Sequence, residues 1–284
     1  MKYIAKEKII EKVREMVMDS AVNLEQTVCE YLKKAFEKEP RGLSKNVLGQ
    51  IIENQDLARK EHIPLCQDTG IAVCFLEVGR ELEFDYDLED ALNEGIRQGY
   101  IDGYLRKSVV NHPLERKNTL DNTPAIVHFK QTEGDELIIH FAPKGGGSEN
   151  MSRLGMLTPG EGIEGVKKFV LDTVRLGGGK PCPPLIVGVG IGGNFEKAAL
   201  IAKEAIFRPL EDEASHPIDK KLEVELLEEI NALGVGPMGL GGKTTCLSVK
   251  VNSYPCHIAS LPVAVNLQCH SARKAHATIK GVSR

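Results

Sequence analysis

Helical and strand-like hydrophobic spacings succeed one another irregularly along this chain, and that irregularity constrains its fold more than any other feature. Residues 4–37 place apolar side chains at helical spacing, with Asn23 as a break, and "SKNVLGQIIENQDLARK" over 44–60 repeats the pattern. After a loop, the apolar run "IAVCFLEVG" predicts a buried strand. A long helical pattern covers Leu88 to about Val109. "TPAIVHFKQTEGDELIIHFAPKGGG" predicts a hairpin turning at Glu133-Gly134-Asp135. "EGIEGVKKFVLDTVRLGGG" is a helix stopped by glycines. "PPLIVGVGIGG" predicts a buried strand and "NFEKAALIAKEAIF" the helix after it. A further helix over 219–233 stops at Gly234, and "TTCLSVKVNSYPCHIASLPVAVNLQC" supplies two more strands. Hairpins without regular βαβ alternation predict an α+β fold, with mixed or antiparallel sheets flanked by helices. The 284 residues, 42% of them hydrophobic, suffice for a sizeable core, read here as one domain over 1–284.

Charge excludes some functions. A net charge of −4, from 36 basic and 40 acidic residues, gives no electrostatic reason for a nucleic acid or membrane partner. There is no tryptophan, and 5% aromatic content is poor material for stacking bases. The N-terminus alternates charged with apolar residues instead of forming a signal peptide's continuous apolar stretch, so a cytoplasmic location is expected. The cysteine count of seven is odd, the spacing wide and CxxC absent, which argues against a disulfide framework and a zinc knuckle.

Two glycine motifs imitate nucleotide sites. "GVGIGG" over 188–193 matches GxGxxG between a strand and a helix, the context of a nicotinamide-binding dehydrogenase. That fingerprint needs a second strand with an acid roughly 20 residues on, and "RPLEDEASHP" follows instead. "GPMGLGGKTT" imitates a phosphate loop, but Pro237 stands where the first glycine belongs and has no N–H to donate. A strand-like run follows it, not a helix whose N-terminus could hold an anion.

Three cysteines share a setting. Cys66 in "PLCQDTG", Cys182 in "GGGKPCPPL" and Cys269 in "NLQCHSAR" each sit where an element ends, so each could project into a shared cavity. Cys29, Cys74 and Cys246 lie inside helix or strand patterns, where packing is the simpler role. Spacing alone does not decide between metal ligands and packed thiols. A four-iron cluster normally takes four thiolates, so three would leave one iron with an open position.

The motifs "LCQDTG", "KGGGSEN", "GGKPCPPLIVGVGIGG" and "LQCHSAR", in this order over nearly the whole chain, resemble the alpha subunit of two-subunit class I fumarate hydratase and the related L(+)-tartrate dehydratase. The resemblance implies a [4Fe-4S] hydro-lyase with Cys66, Cys182 and Cys269 as cluster ligands. Its open iron would act as a Lewis acid on a substrate hydroxyl and carboxylate. The implied reaction is reversible hydration of fumarate to (S)-malate; tartrate or another hydroxy-dicarboxylate is the alternative. By the same resemblance Asp68 acts on a proton or orients the reacting oxygen, and Gln67 lines the site beside it. Asp68 could equally be a turn residue bonding its own backbone. Arg106 in "GYLRKSVV" would grip a substrate carboxylate; read alone, it is a solvated charge at a helix end. Gly146 and Gly147, with Gly145, would offer backbone N–H groups in a concave nest, and otherwise form a flexible turn. Lys144 and Glu149 are read as rim residues. His257 is expected behind the cluster, and His270 would orient its neighbouring ligand.

Single-chain members of the resembled family continue into a second domain, and this sequence ends at Arg284, about where the first would end. The resemblance therefore implies a smaller beta subunit on a separate chain, as an α2β2 assembly, that supplies further substrate contacts and an acid/base group.

Overall fold

The structure, a computed structural model, describes residues 1–283. A two-residue strand β1 (Lys2–Tyr3) leads into α1 (Lys6–Val22), which ends at Asn23, and α2 (Gln26–Lys38) and α3 (Leu43–Glu61) follow. The predicted strand is β2 (Ile71–Gly79), followed by the short β3 (Leu82–Glu83). α4 (Leu88–Asp102) starts at Asp87, whose carboxylate accepts from the N–H groups of Glu89 and Asp90. Next come β4 (Ile126–Thr132), β5 (Glu136–Lys144), the single turn α5 (Gly146–Glu149), β6 (Arg153–Leu157) and α6 (Gly162–Gly177). β7 (Leu185–Gly192) precedes α7 (Phe195–Ala205), capped by the Asn194 side chain, and α8 (Pro217–Ala232). β8 (Cys246–Tyr254), β9 (Leu261–Gln268) and β10 (Ala275–Lys280) complete an α+β fold.

The chain forms two compact units, each assembled from discontinuous segments. The first comprises residues 1–24, 55–145 and 273–284, and the second residues 25–54 and 146–272. In the first unit a four-stranded sheet of order β10-β5-β2-β4 packs against α1 and α4. Ile9, Val13 and Val17 of α1 and Leu92, Ile96 and Tyr100 of α4 bury against Cys74, Leu76, Leu137, Ile139 and Phe141 of the sheet. In the second unit the order is β6-β9-β7-β8, and α6 and α8 contribute Val166, Val170, Leu222 and Leu226 to a valine-rich core.

Two local predictions change. The run 123–147 is not a hairpin: β2 lies between β4 and β5, parallel to the first and antiparallel to the second. Burial explains the insertion. β2 is nearly all apolar and takes a central position, while β4, largely exposed, takes the edge. The helix predicted to about Val109 ends at Asp102, which frees Arg106 from it.

The second unit also contains a crossover that the sequence pattern hides. β7 and β8 run parallel and adjacent, joined through α7 and α8. Here the glycines of "GVGIGG" have a packing role. A Cβ on Gly188 would stand 2.3 Å from the Ala202 carbonyl oxygen, and one on Gly190 2.1 Å from that of Ala198. These glycines let α7 lie against the strand.

Candidate active site

The turn Asp68-Thr69-Gly70 enters β2 in the first unit. Gly70 adopts φ +75, and a Cβ there would meet the Pro143 carbonyl carbon at 2.6 Å, so glycine is required. Asp68 Oδ1 accepts from the Gly70 N–H at 3.0 Å, the short turn expected of aspartate. The same oxygen accepts from Arg106 Nη2 at 3.0 Å. The turn bond and the ion pair thus share one oxygen of Asp68.

Buried side chains grip the main chain of this turn. Arg273 Nη2 donates to the Asp68 carbonyl at 2.6 Å. Tyr100 Oη donates to the Thr69 carbonyl at 2.6 Å and also reaches that of Gly70 at 3.3 Å. Burial holds the Tyr100 phenol well above its ordinary pKa, so it remains a donor. Asn122 Nδ2 donates to the Gly70 carbonyl at 3.1 Å, and its Oδ1 accepts from the Ser108 and Val109 N–H groups at 2.6 and 3.2 Å. Asn122 holds φ 63, a conformation asparagine tolerates better than most residues. Thr69 Oγ1 donates to the Arg106 carbonyl. The Arg106 loop and the Asp68 turn are therefore one hydrogen-bonded piece.

The two side chains it presents remain accessible, Arg106 at 47% and Asp68 at 30% exposure. An ion pair so exposed adds only ~0–1 kcal/mol to stability. The network beneath the turn is buried, while the pair itself stays accessible. Gln67 is exposed beside Asp68.

Cys182 and Cys269 belong to the second unit, Cys66 to the first. Ile186 of β7 pairs with Gln268 of β9, so the loops carrying Cys182 and Cys269 lie at the same end of the sheet. His270 ties them: its main-chain N–H donates to the Cys182 carbonyl at 3.2 Å, and its Nδ1 lies 3.0 Å from the same oxygen. A carbonyl only accepts, so this bond puts the proton on Nδ1. Cys182 holds φ 57, a conformation costing about 1–2 kcal/mol outside glycine. Cys66, Cys182 and Cys269 are half-buried residues, as is Cys29, whereas burial pushes the thiols of Cys74 and Cys246 up to about 12. Among the described residues no cysteine is in a disulfide, and no three His, Cys, Asp or Glu side chains gather as they would around one metal ion. Ligands of an iron-sulfur cluster each bind their own iron and stand apart, so the donor chemistry of three loop thiols still suits such a cluster.

His257 sits in an exposed loop before β9, bonding within that loop. His257 precedes β9 and Cys269 follows it, so the eight residues of that strand stand between them along the chain. Gly146 and Gly147 are exposed at the start of the single turn α5, not in a flexible loop. Lys144 is fully buried rather than on a rim, and Glu149 pairs with Lys203 at 2.6 Å and with Asn266 at 3.1 Å. Sequence reasoning missed Tyr100, Asn122 and Arg273. Arg273 stood in plain view in "LQCHSAR"; the other two carried no signal beyond their residue type.

The imitation phosphate loop does hold an anion, but the protein supplies it. Glu39 Oε1 accepts from the Lys243 N–H at 2.7 Å, and Oε2 accepts from the Thr244 N–H and hydroxyl at 3.2 and 3.1 Å.

A family model described as fumarate hydratase (Fumerase) matches residues 10–278. The chain belongs to this family. It is 42% identical over 280 residues, 96% of its own length and 98% of the relative's, to a Methanocaldococcus jannaschii protein provisionally named L(+)-tartrate dehydratase subunit alpha. It is 30% identical over 276 residues to the L(+)-tartrate dehydratase subunit alpha of Escherichia coli O157:H7, covering 95% of this chain and 91% of that one. The K12 counterpart is 29% identical over the same length. Hydration or dehydration is the chemistry that the family's and the relatives' names share. Among the described residues no helix is long and apolar enough to cross a membrane.

Proposed function

We propose that this chain is the alpha subunit of a hydro-lyase that interconverts a hydroxy-dicarboxylate and its unsaturated partner, with fumarate and (S)-malate as the first reading. The observation that carries it is the Asp68–Arg106 pair, a carboxylate and a guanidinium held half-exposed by a buried hydrogen-bond network. Arg106 would take a substrate carboxylate through its planar fork. Asp68 Oδ1, already an acceptor, suits a substrate hydroxyl or a proton in transfer. Gln67, exposed next to Asp68, would add a hydrogen bond, and the N–H groups of Gly146 and Gly147 would add donors toward a carboxylate.

We assign Cys66, Cys182 and Cys269 to a [4Fe-4S] cluster, which when bound would supply a Lewis acid toward the hydroxyl that leaves or adds. The Cys182–His270 bond would hold one ligand loop in place.

A second reading is L(+)-tartrate dehydration, favoured by the names of relatives at 42% and 30% identity. Fumarate and tartrate chemistry differ by one hydroxyl, and every residue assigned here serves both. The alpha-subunit names of those relatives support a beta partner, proposed here in an α2β2 assembly. Anaerobic turnover of malate, fumarate and L(+)-tartrate by the chain, alone and with its beta partner, tests the reading. Activity on one of these acids only with the partner is expected. Full activity of the chain alone would contradict the two-subunit form, and no activity on any acid with the partner would contradict the hydro-lyase.

A further inference from the structure

Three carbonyls in a row, of Asp68, Thr69 and Gly70, each receive a buried side-chain donor. Tyr100 and Asn122 serve the last two with neutral groups. Arg273 serves the first with a cation that is only 3% exposed. Its Nη2 makes that bond, while its Nε and Nη1 are buried with no hydrogen-bond partner among the described residues. A guanidinium cannot lose its charge, and burying one with unmet donors is unfavourable. A neutral donor would hold the carbonyl equally well, as its two neighbours do. What Arg273 adds is positive charge beneath the turn that presents Asp68. A Cβ on Gly145 would lie 3.2 Å from Asp68 Oδ2 and 3.9 Å from Arg273 Nη2, so glycine leaves the space between carboxylate and guanidinium clear.

We propose that Arg273 is a positioning residue of the hydro-lyase site whose charge, and not merely its hydrogen bond, serves a dianionic substrate by acting through the Asp68 turn. It touches the Asp68 main chain and acts on substrate from behind it, with Arg106 in front. This rests on the reading of the site proposed above.

The test compares Arg273→Gln, which keeps a neutral donor, with Arg273→Lys, which keeps a charged one, in the full chain with its beta partner. In Arg273→Gln kcat should fall about 100-fold, and Arg273→Lys should recover at least about tenfold of that loss. The melting temperature of Arg273→Gln without substrate should equal or exceed that of the unmodified protein, because unmet buried charge is removed. Equal activity of the two variants would overturn the proposal, as would a lower melting temperature in Arg273→Gln with kcat unchanged, which describes a structural tie. Succinate, a dicarboxylate that cannot be dehydrated, separates this proposal from the wider reading. If succinate raises the melting temperature of the unmodified protein and of Arg273→Lys but not of Arg273→Gln, the charge role stands even where no hydro-lyase turnover is found. A succinate effect equal in all three proteins overturns the charge role and leaves the hydro-lyase reading intact.

Discussion

Two glycine-bearing turns in this chain hold a carboxylate against several donors, with opposite consequences. At 242–244 both Glu39 oxygens are consumed by the loop, and Glu39 is 2% exposed. The anion that the glycine loop is shaped for belongs to the protein, so the motif is closed and structural. At 68–70 the carboxylate and its arginine face outward, while the donors are buried beneath the main chain and one of them has capacity to spare. Both turns are rich in hydrogen bonds, so bond count does not separate them. What separates them is where the polar groups end: inside the fold at Glu39, at an accessible surface at Asp68.

The strongest way to break the comparison is Glu39→Ala. It strands the Lys243 and Thr244 N–H groups and the Thr244 hydroxyl, and denaturant unfolding should show a loss of about 3 kcal/mol. A loss below about 1 kcal/mol would mean that water replaces the carboxylate and the loop is not closed. Asn122→Ala should have a smaller effect on stability, about 2 kcal/mol, by removing three hydrogen bonds that join the Arg106 loop to the Asp68 turn. Turnover measured at matched folded fraction should also drop about tenfold, because both groups lose their mutual placement. Unchanged turnover would separate that network from the chemistry. The smallest effect belongs to Lys243→Ala. Its side chain is exposed and only its main-chain N–H meets Glu39, so stability should stay within about 0.5 kcal/mol and activity should not change. A large loss of activity would revive the phosphate-loop reading.

Much of the fold was legible because its helices and strands are locally periodic: α1, α6, β2 and β9 were readable from spacing. Strand partners were not. The run 123–147 displays two strands and a turn, and nothing local reveals that β2, some fifty residues earlier, slots between them. The parallel β7–β8 pair was hidden for the same reason, because two helices separate its strands. At the Asp68 turn, the residue types that suggest chemistry, Asp68 and Arg106, stand out in the sequence, and the structure pairs them. The donors that hold them do not stand out, because a tyrosine in a helix or an asparagine in a loop looks the same whether or not it caps a distant carbonyl.

The assignment most worth testing is the one proposed above, a [4Fe-4S] cluster on Cys66, Cys182 and Cys269. The most direct test is an EPR spectrum of the anaerobically reconstituted, reduced chain with its beta partner, recorded with and without malate, fumarate and L(+)-tartrate. The account predicts a cluster signal that shifts with one of these acids and disappears when Cys66, Cys182 or Cys269 is changed to Ala. A signal unaltered in all three cysteine variants, or no cluster at all under reconstitution, would contradict it.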